Sequence, residues 1–142
     1  MIAAREADLP AFAKLLGTRL GGIASMRQIR FRNGMIVQRV LAQRPEGEIM
    51  IDLMLARDAF LQGALARRIR RDVPGFATTY VASVEDLVIM KLAAGRPQDL
   101  VDTINLLDEH SVDRDYLEIW AATLRIRGRL HRMLRRRDRR RP

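Results

Sequence analysis

One carboxylate stands out because it interrupts an otherwise apolar segment. Asp52 lies between Ile51 and Leu53 in the stretch 48–55, whose composition predicts a β-strand. A lone carboxylate in such a strand is more often paired with an arginine at the end of a sheet than engaged in chemistry. Asp52 is nevertheless the first residue that we consider as a functional group, and both interpretations stay open.

A second set of charged residues stands at helical spacing further along the chain. Lys91 shares a face of a predicted helix with apolar residues. Its ammonium group either reaches solvent or points at an anionic ligand, and the sequence does not separate the two cases. Asp99 and Asp102 stand three residues apart in the first turns of the next predicted helix, where the helix dipole alone favours acids. Their position therefore has a structural explanation as well as a chemical one.

Several other chemistries are excluded or poorly supported. The chain has no cysteine, which excludes disulfides, thiolate zinc sites and cysteine nucleophiles. His110 and His131 have no carboxylate at metal-ligand spacing, and the glycine patterns of P-loop and Rossmann nucleotide sites do not occur. No apolar run approaches the roughly 20 residues that span a bilayer. We therefore expect a cytoplasmic protein without a membrane partner.

The elements that must position these residues form strands mainly in the first half and helices in the second. The asparagine–glycine pair at Asn33 and Gly34 predicts a β-hairpin. The apolar content of 48–55 predicts a central strand that is covered on both faces. This order predicts a single α+β domain. The predicted elements are a helix over 8–16, hairpin strands over 26–31 and 35–41, strands over 48–55 and 76–82, and helices over 58–71, 83–94, 97–109 and from 113.

The formal net charge of +9 is concentrated at the C-terminal end. The segment 125–142 holds ten arginines and one acid, whereas the other 124 residues hold 16 basic and 16 acidic residues. We predict an arginine-rich tail over 135–142, which is either solvated or binds RNA or another polyanion. The candidate nucleic-acid contacts in this tail are Arg135, Arg136, Arg137, Arg139, Arg140 and Arg141.

The segment 81–102, VASVEDLVIMKLAAGRPQDLVD, resembles a motif of the nucleotidyltransferase-fold family. In the small bacterial members, which include the AbiEii-type toxins, a helix–loop–helix with the pattern SxEDLIxxKLxAxRxxDxxD follows the catalytic sheet. The resemblance extends backwards, in order and spacing, to the hairpin and to Asp52, whose strand is similar to the one that carries the third carboxylate of the family. It covers nearly all of the chain up to about residue 109.

The resemblance implies a nucleotidyltransferase-like mixed sheet with a hairpin, followed by C-terminal helices. It implies an incomplete nucleotidyltransferase-like core over 1–82 and a helical part of the same domain over 83–134. It also implies that Asp52 is a magnesium ligand, that Lys91 and Arg96 contact the phosphates of an NTP, and that Asp99 is the acid beside the lysine and the nucleotide. We thus expect Asp52, Lys91 and Asp99 to be the catalytic residues and Mg²⁺ to be the cofactor.

The chain departs from the family pattern at its start. Family members have a Gly-Ser or Gly-Gly turn and an Asp-x-Asp pair ahead of these elements, and no such pair precedes Asp52. We therefore expect that the chain is truncated before this motif. Because three carboxylates hold two magnesium ions in the family, Asp52 alone is expected to bind the metal weakly, and transfer is expected to be impaired.

Two functions of different class follow. The first is a nucleotidyltransferase that moves a nucleoside monophosphate from an NTP to an RNA, protein or small-molecule acceptor. It would act in a toxin–antitoxin or a phage-defence system, with an antitoxin or a second copy as partner. The alternative is a non-catalytic module that binds RNA or a partner on the same fold through its basic tail. An in-frame upstream segment that encodes the Gly-Ser turn and the Asp-x-Asp pair would favour the enzyme.

Overall fold

A computed structural model describes residues 6–30, 36–72 and 78–140 of the chain. The chain divides into two compact units, Met1–Ala66 and Arg67–Pro142. The first unit combines helices with a sheet, and the second is mainly helical. The predicted α+β class is thus confirmed. No helix among the described residues is long and apolar enough to cross a membrane.

The first unit packs a helix against a three-stranded antiparallel sheet. The elements are α1 (Leu9–Leu20), β1 (Ile23–Arg30), β2 (Ile36–Arg44), β3 (Gly47–Met54) and α2 (Ala59–Ala66). One 3-10 turn, Glu6–Asp8, leads into α1, and α2 follows the last strand. Helix α1 contacts β1 and β2, and it ends where Gly21 takes a left-handed conformation with φ of 92°.

The sheet has the strand order β1-β2-β3, and its core faces α1. The predicted hairpin is confirmed as the β1–β2 pair, while its turn residues Asn33 and Gly34 lie outside the described residues. The resemblance led us to expect a mixed sheet, but every strand pairing among the described residues is antiparallel. The core side chains are Leu9, Ala13, Ile36, Val40, Leu53 and Leu55.

The prediction that 48–55 forms a central strand is wrong. The segment forms β3, which lies at an edge of the described sheet and pairs with β2 alone. Its apolar residues Ile49 and Met50 are exposed, whereas Leu53 is buried. The apolar content of this strand was therefore a wrong guide to burial on both faces. Only one face of the strand is covered, and only near its end.

The second unit places a short β-hairpin before four helices. The elements are β4 (Ile69–Arg71), β5 (Thr79–Val81), α3 (Val84–Ala94), α4 (Pro97–Glu109), α5 (Arg114–Thr123) and α6 (Arg127–Asp138). Helix α3 contacts α4 and α5, and α6 contacts the same two helices. Buried apolar residues from all four helices, among them Ile89, Leu107, Leu117 and Leu130, form the interior of the unit.

The predicted helix ends of the second unit are confirmed at three places. The hydroxyl of Ser83 accepts a hydrogen bond from the backbone N–H of Asp86, and Asp113 accepts one from Tyr116, so each residue caps its helix. Gly95 ends α3 in a left-handed conformation with φ of 69°.

The helix predicted over 58–71 is wrong in its extent, and most of the arginine-rich segment that follows 134 is part of a helix. The helix predicted over 58–71 ends at Ala66, and β4 follows, because Ile69 pairs with Val81 in a hairpin. The spacing of apolar residues within 58–71 could not indicate this pairing with a distant segment. The predicted tail over 135–142 is also helical up to Asp138, since Leu130 and Met133 anchor α6 by burying their side chains. Residues 141 and 142 lie outside the described part.

Candidate functional site

Four charged residues of the family-like motif come together where α3 meets α4. The ammonium of Lys91 lies 2.6 Å from Oδ2 of Asp102 and 3.7 Å from Oδ1 of Asp99. The guanidinium of Arg96 contacts the same Asp99 through Nε at 2.7 Å and Nη2 at 3.1 Å. Two cations and two carboxylates thus form one connected cluster, which we call the α3–α4 cluster.

The local chain conformation explains why Asp99 is at the centre of this cluster. Gly95 ends α3, and Pro97 begins α4 two residues later. Asp99 then stands at the third position of α4, where its Oδ2 accepts a hydrogen bond from the backbone N–H of Arg96 at 3.2 Å. Asp99 is only 3% exposed. Its hydrogen bonds with Arg96, together with the charge of Lys91, hold the pKa of this carboxyl below its ordinary value.

Lys91 is tied to the second helix rather than extended into solvent. Its side chain is 28% exposed, and its hydrogen bond to Asp102 lowers the pKa of that carboxyl. Gln98 donates a further hydrogen bond to Oδ1 of Asp102 at 2.8 Å. The lysine charge is therefore largely compensated inside the cluster, which leaves a partly exposed ammonium held in one orientation.

Asp52 occupies a different setting in the first unit. It stands opposite Arg39 in the β2–β3 register, and Nε and Nη2 of Arg39 each lie 2.8 Å from one of its two carboxylate oxygens. The hydrogen bonds with Asp52 raise the pKa of Arg39. The side chain of Asp52 is 41% exposed. This two-pronged ion pair matches the first interpretation of an isolated carboxylate in a strand.

The described residues do not fit a magnesium site of the kind that the resemblance implies. Mg²⁺ takes several oxygen ligands in near-octahedral geometry. Both carboxylate oxygens of Asp52 already accept hydrogen bonds from Arg39. Within residues 6–30, 36–72 and 78–140, no group of three histidine, aspartate or glutamate side chains is arranged to hold a metal ion. We therefore derive no catalytic step through magnesium.

The sequence did not reveal a second polar network at the start of α3. Asp86 is fully buried, and its Oδ1 accepts hydrogen bonds from Arg67 at 2.8 Å and from the hydroxyl of Tyr116 at 2.6 Å. Ser83 donates to the other oxygen at 3.0 Å. Burial and the hydrogen bond to Asp86 raise the pKa of Tyr116. The helix predicted to begin at residue 83 accounts for Ser83 as a cap, but no local signal in the sequence pointed to the distant arginine and tyrosine.

The arginines of the predicted tail fall into two groups on α6 and just beyond it. Arg137 contacts Asp138, and Arg140 lies 3.9 Å from Asp108. The side chain of Arg137 is only 11% exposed. In contrast, Arg135, Arg136 and Arg139 are exposed on the helix surface, and Arg141 lies outside the described residues. The predicted set is therefore not a uniform basic surface.

Comparison with known proteins adds no assignment. No protein-family model matches the chain. No curated protein is significantly similar to it in sequence.

Proposed function

We propose that the chain is a nucleotidyltransferase-like protein whose second unit contacts the phosphates of a nucleotide through Lys91 and Arg96. The observation that supports this proposal is the α3–α4 cluster. Four charged residues of the family-like motif, which are separated by up to eleven positions, form one connected group. A purely local helix cap requires only Asp99 and Arg96, so the inclusion of Lys91 and Asp102 extends the cluster beyond a cap.

The chemistry of this cluster suits phosphate binding better than proton transfer. Asp102 orients the Lys91 ammonium, and Asp99 orients the Arg96 guanidinium, whose side chain is 75% exposed. Cations held in this way present charge to a phosphate group at a small cost in side-chain entropy. The two carboxylates also compensate part of that charge, so the expected affinity for nucleotide is modest.

A non-catalytic binding module on the same fold is the second candidate. The ion pair between Asp52 and Arg39 favours it, because this carboxylate is engaged in a cross-strand contact. In this case the α3–α4 cluster stabilises the junction of two helices, and the protein acts through a binding surface.

Nucleotide binding tests the proposal directly. The chain has only two lysines, so Lys14→Gln provides a matched control for Lys91→Gln. We expect Lys91→Gln to weaken the binding of a radiolabelled NTP by about tenfold, which corresponds to ~1.4 kcal/mol. Lys14→Gln should leave it unchanged, since Lys14 is exposed on α1 and is not part of the α3–α4 cluster. Equal affinity for both variants and the wild type would remove Lys91 from a nucleotide site.

Transfer is tested separately from binding. The full chain is incubated with radiolabelled NTPs, Mg²⁺ and cellular RNA, and Asp52→Asn is compared with the wild type. Label transfer that disappears with Asp52→Asn supports the enzyme. Transfer that survives the substitution removes Asp52 from the mechanism. Nucleotide binding without any transfer supports the non-catalytic module.

A further inference from the structure

The outward face of α6 carries a stripe of arginines that do not pair with acids among the described residues. Arg132, Arg135, Arg136 and Arg139 stand at positions i, i+3, i+4 and i+7, which places them on one side of a helix. All four are exposed. Within the part of the chain that the structure describes, none of their side chains makes an ion pair or a hydrogen bond. We call these four residues the arginine face.

Five other basic residues at this end of the chain are engaged. Arg127 and His131 both contact Glu118, at 3.4 Å and 2.7 Å. Asp138 and Asp108 contact Arg137 and Arg140. Arg129 donates to backbone carbonyls at the end of α3. These acids therefore pair with other cations, and no acid among residues 6–30, 36–72 and 78–140 compensates the charge of the arginine face.

The helix that carries the arginine face is fixed to the unit by its opposite side. Leu130 and Met133 are buried, and α6 packs against α4 and α5. Like charges three and four residues apart destabilise a helix. Burial of the apolar side thus holds the four guanidinium groups in an arrangement that an isolated helix would disfavour. A bound polyanion would relieve their mutual repulsion.

We propose that the arginine face binds the phosphate backbone of a nucleic acid. The guanidinium fork matches a phosphate group in shape and charge. From Arg132 to Arg139 the helix rises about 10 Å, which is about three nucleotide steps at ~3.4 Å each along one strand. A membrane surface is disfavoured because the apolar side of α6 faces the interior of the unit. This inference does not depend on nucleotidyl transfer.

The salt dependence of binding measures how many phosphates the surface contacts. Fluorescence anisotropy of the full chain with a labelled single-stranded RNA, single-stranded DNA or DNA duplex gives the affinity between about 50 and 200 mM salt. Four phosphate contacts predict a slope of log affinity against log salt of about −2.8 for single strands and −3.6 for a duplex. The three ligands identify the kind of nucleic acid.

Two double variants with the same loss of charge distinguish binding by the arginine face from attraction by the net positive charge of the protein. Arg132→Gln with Arg136→Gln removes half of the face, and we expect the slope to become less steep by about 1.4 to 1.8. Arg114→Gln with Arg127→Gln removes two exposed arginines that pair with Asp138 and Glu118. This control should change the slope much less. Circular dichroism of both variants checks that α6 is intact.

Three outcomes would overturn the proposal. The first is an equal loss of affinity in the two double variants, because it would mean that only net charge matters. The second is a slope near zero for all three nucleic acids. The third is binding to vesicles that contain phosphatidylserine without binding to any nucleic acid, which would make the partner a lipid surface. Recovery of the slope in Arg132→Lys with Arg136→Lys would support phosphate contact by charge.

Discussion

Aspartate–arginine pairs occur in both units, and their surroundings differ. In the second unit, Asp86 is fully buried and Asp99 is 3% exposed, and each holds several partners from different parts of the chain. In the first unit, Asp52 pairs with Arg39 across two strands while 41% of its side chain is exposed. A buried carboxylate requires all of its partners, whereas an exposed pair is screened by water. Removal of the carboxylate should therefore destabilise the second unit far more than the first.

The largest difference is expected between Asp86→Ala and Asp52→Ala. Asp86→Ala leaves Arg67, Tyr116 and Ser83 without their common acceptor, and it should lower the free energy of unfolding by about 2 to 4 kcal/mol. This is below the largest values for buried pairs, because Arg67 is itself 41% exposed. Asp52→Ala should change stability by no more than the scatter of the measurement. Urea denaturation followed by circular dichroism measures both, and equal losses would contradict the contrast between the units.

A smaller effect is expected from Asp99→Asn. The substitution removes a charged acceptor from Arg96 and Lys91 and weakens the cap at the start of α4. We expect a loss of about 1 to 3 kcal/mol. Asp102→Asn provides the comparison within the same cluster, since Asp102 is less buried. If Asp102→Asn proved the more damaging of the two, the lysine contact rather than the cap would hold this junction together.

Low pH should destabilise the protein through the carboxylates of the α3–α4 cluster. The pKa values of Asp99 and Asp102 are lowered in the folded chain by Arg96 and Lys91. These carboxylates therefore contribute stability above their unfolded pKa of about 3.9, and this contribution is lost as the pH falls through the lower folded values. The free energy of unfolding, measured from pH 5 to about pH 2, should fall less steeply in the Asp99→Asn variant. Parallel curves for the two proteins would show that Asp99 does not contribute to the acid response.

The smallest effects are expected when alanine replaces two glycines of the second unit, Gly95 and Gly128. A Cβ atom at Gly95 would lie 2.4 Å from Nη1 of Arg129, and the backbone there has φ of +69°. Gly95→Ala should therefore cost about 1 to 2 kcal/mol, mainly through the left-handed conformation. Gly128 lies inside α6 with open space around it. Gly128→Ala should instead stabilise the protein by about 0.5 to 1 kcal/mol, as seen in thermal unfolding. Effects of the same sign would mean that the φ angle at Gly95 is unimportant.

Helix ends could be predicted from the sequence because their signals are local. Ser83, Gly95, Pro97 and Asp113 each act through atoms within four residues along the chain, and all four mark the ends expected of them. The Asn-Gly signal likewise placed the β1–β2 hairpin. The convergence of Lys91, Arg96 and Asp99 follows from the same local geometry, since the loop between their helices contains only Gly95 and Arg96.

Features that depend on distant contacts could not be predicted. Whether β3 is central or at an edge depends on which strands flank it. The apolar side chains of Ile49 and Met50, which are exposed, do not indicate how many neighbouring strands there are. The interruption of the predicted helix 58–71 by β4 depends on pairing between Ile69 and Val81. The Asp86 network likewise joins residues up to 49 positions apart. The helix at the C-terminal end could not be predicted from its arginine-rich sequence. Only Leu130 and Met133 are fully buried there, so the apolar pattern that indicates a helix is short.

Arginine-rich extensions are commonly trimmed to improve the behaviour of a recombinant protein. Here Arg129 donates hydrogen bonds to the carbonyls of Leu92 and Ala93 at 2.7 and 3.2 Å, where it takes the place of water at the end of α3. Removal of the chain after Ile126 would delete this contact and uncover the apolar surfaces of α4 and α5 on which α6 rests. A trimmed protein should therefore be more prone to aggregation than the intact chain.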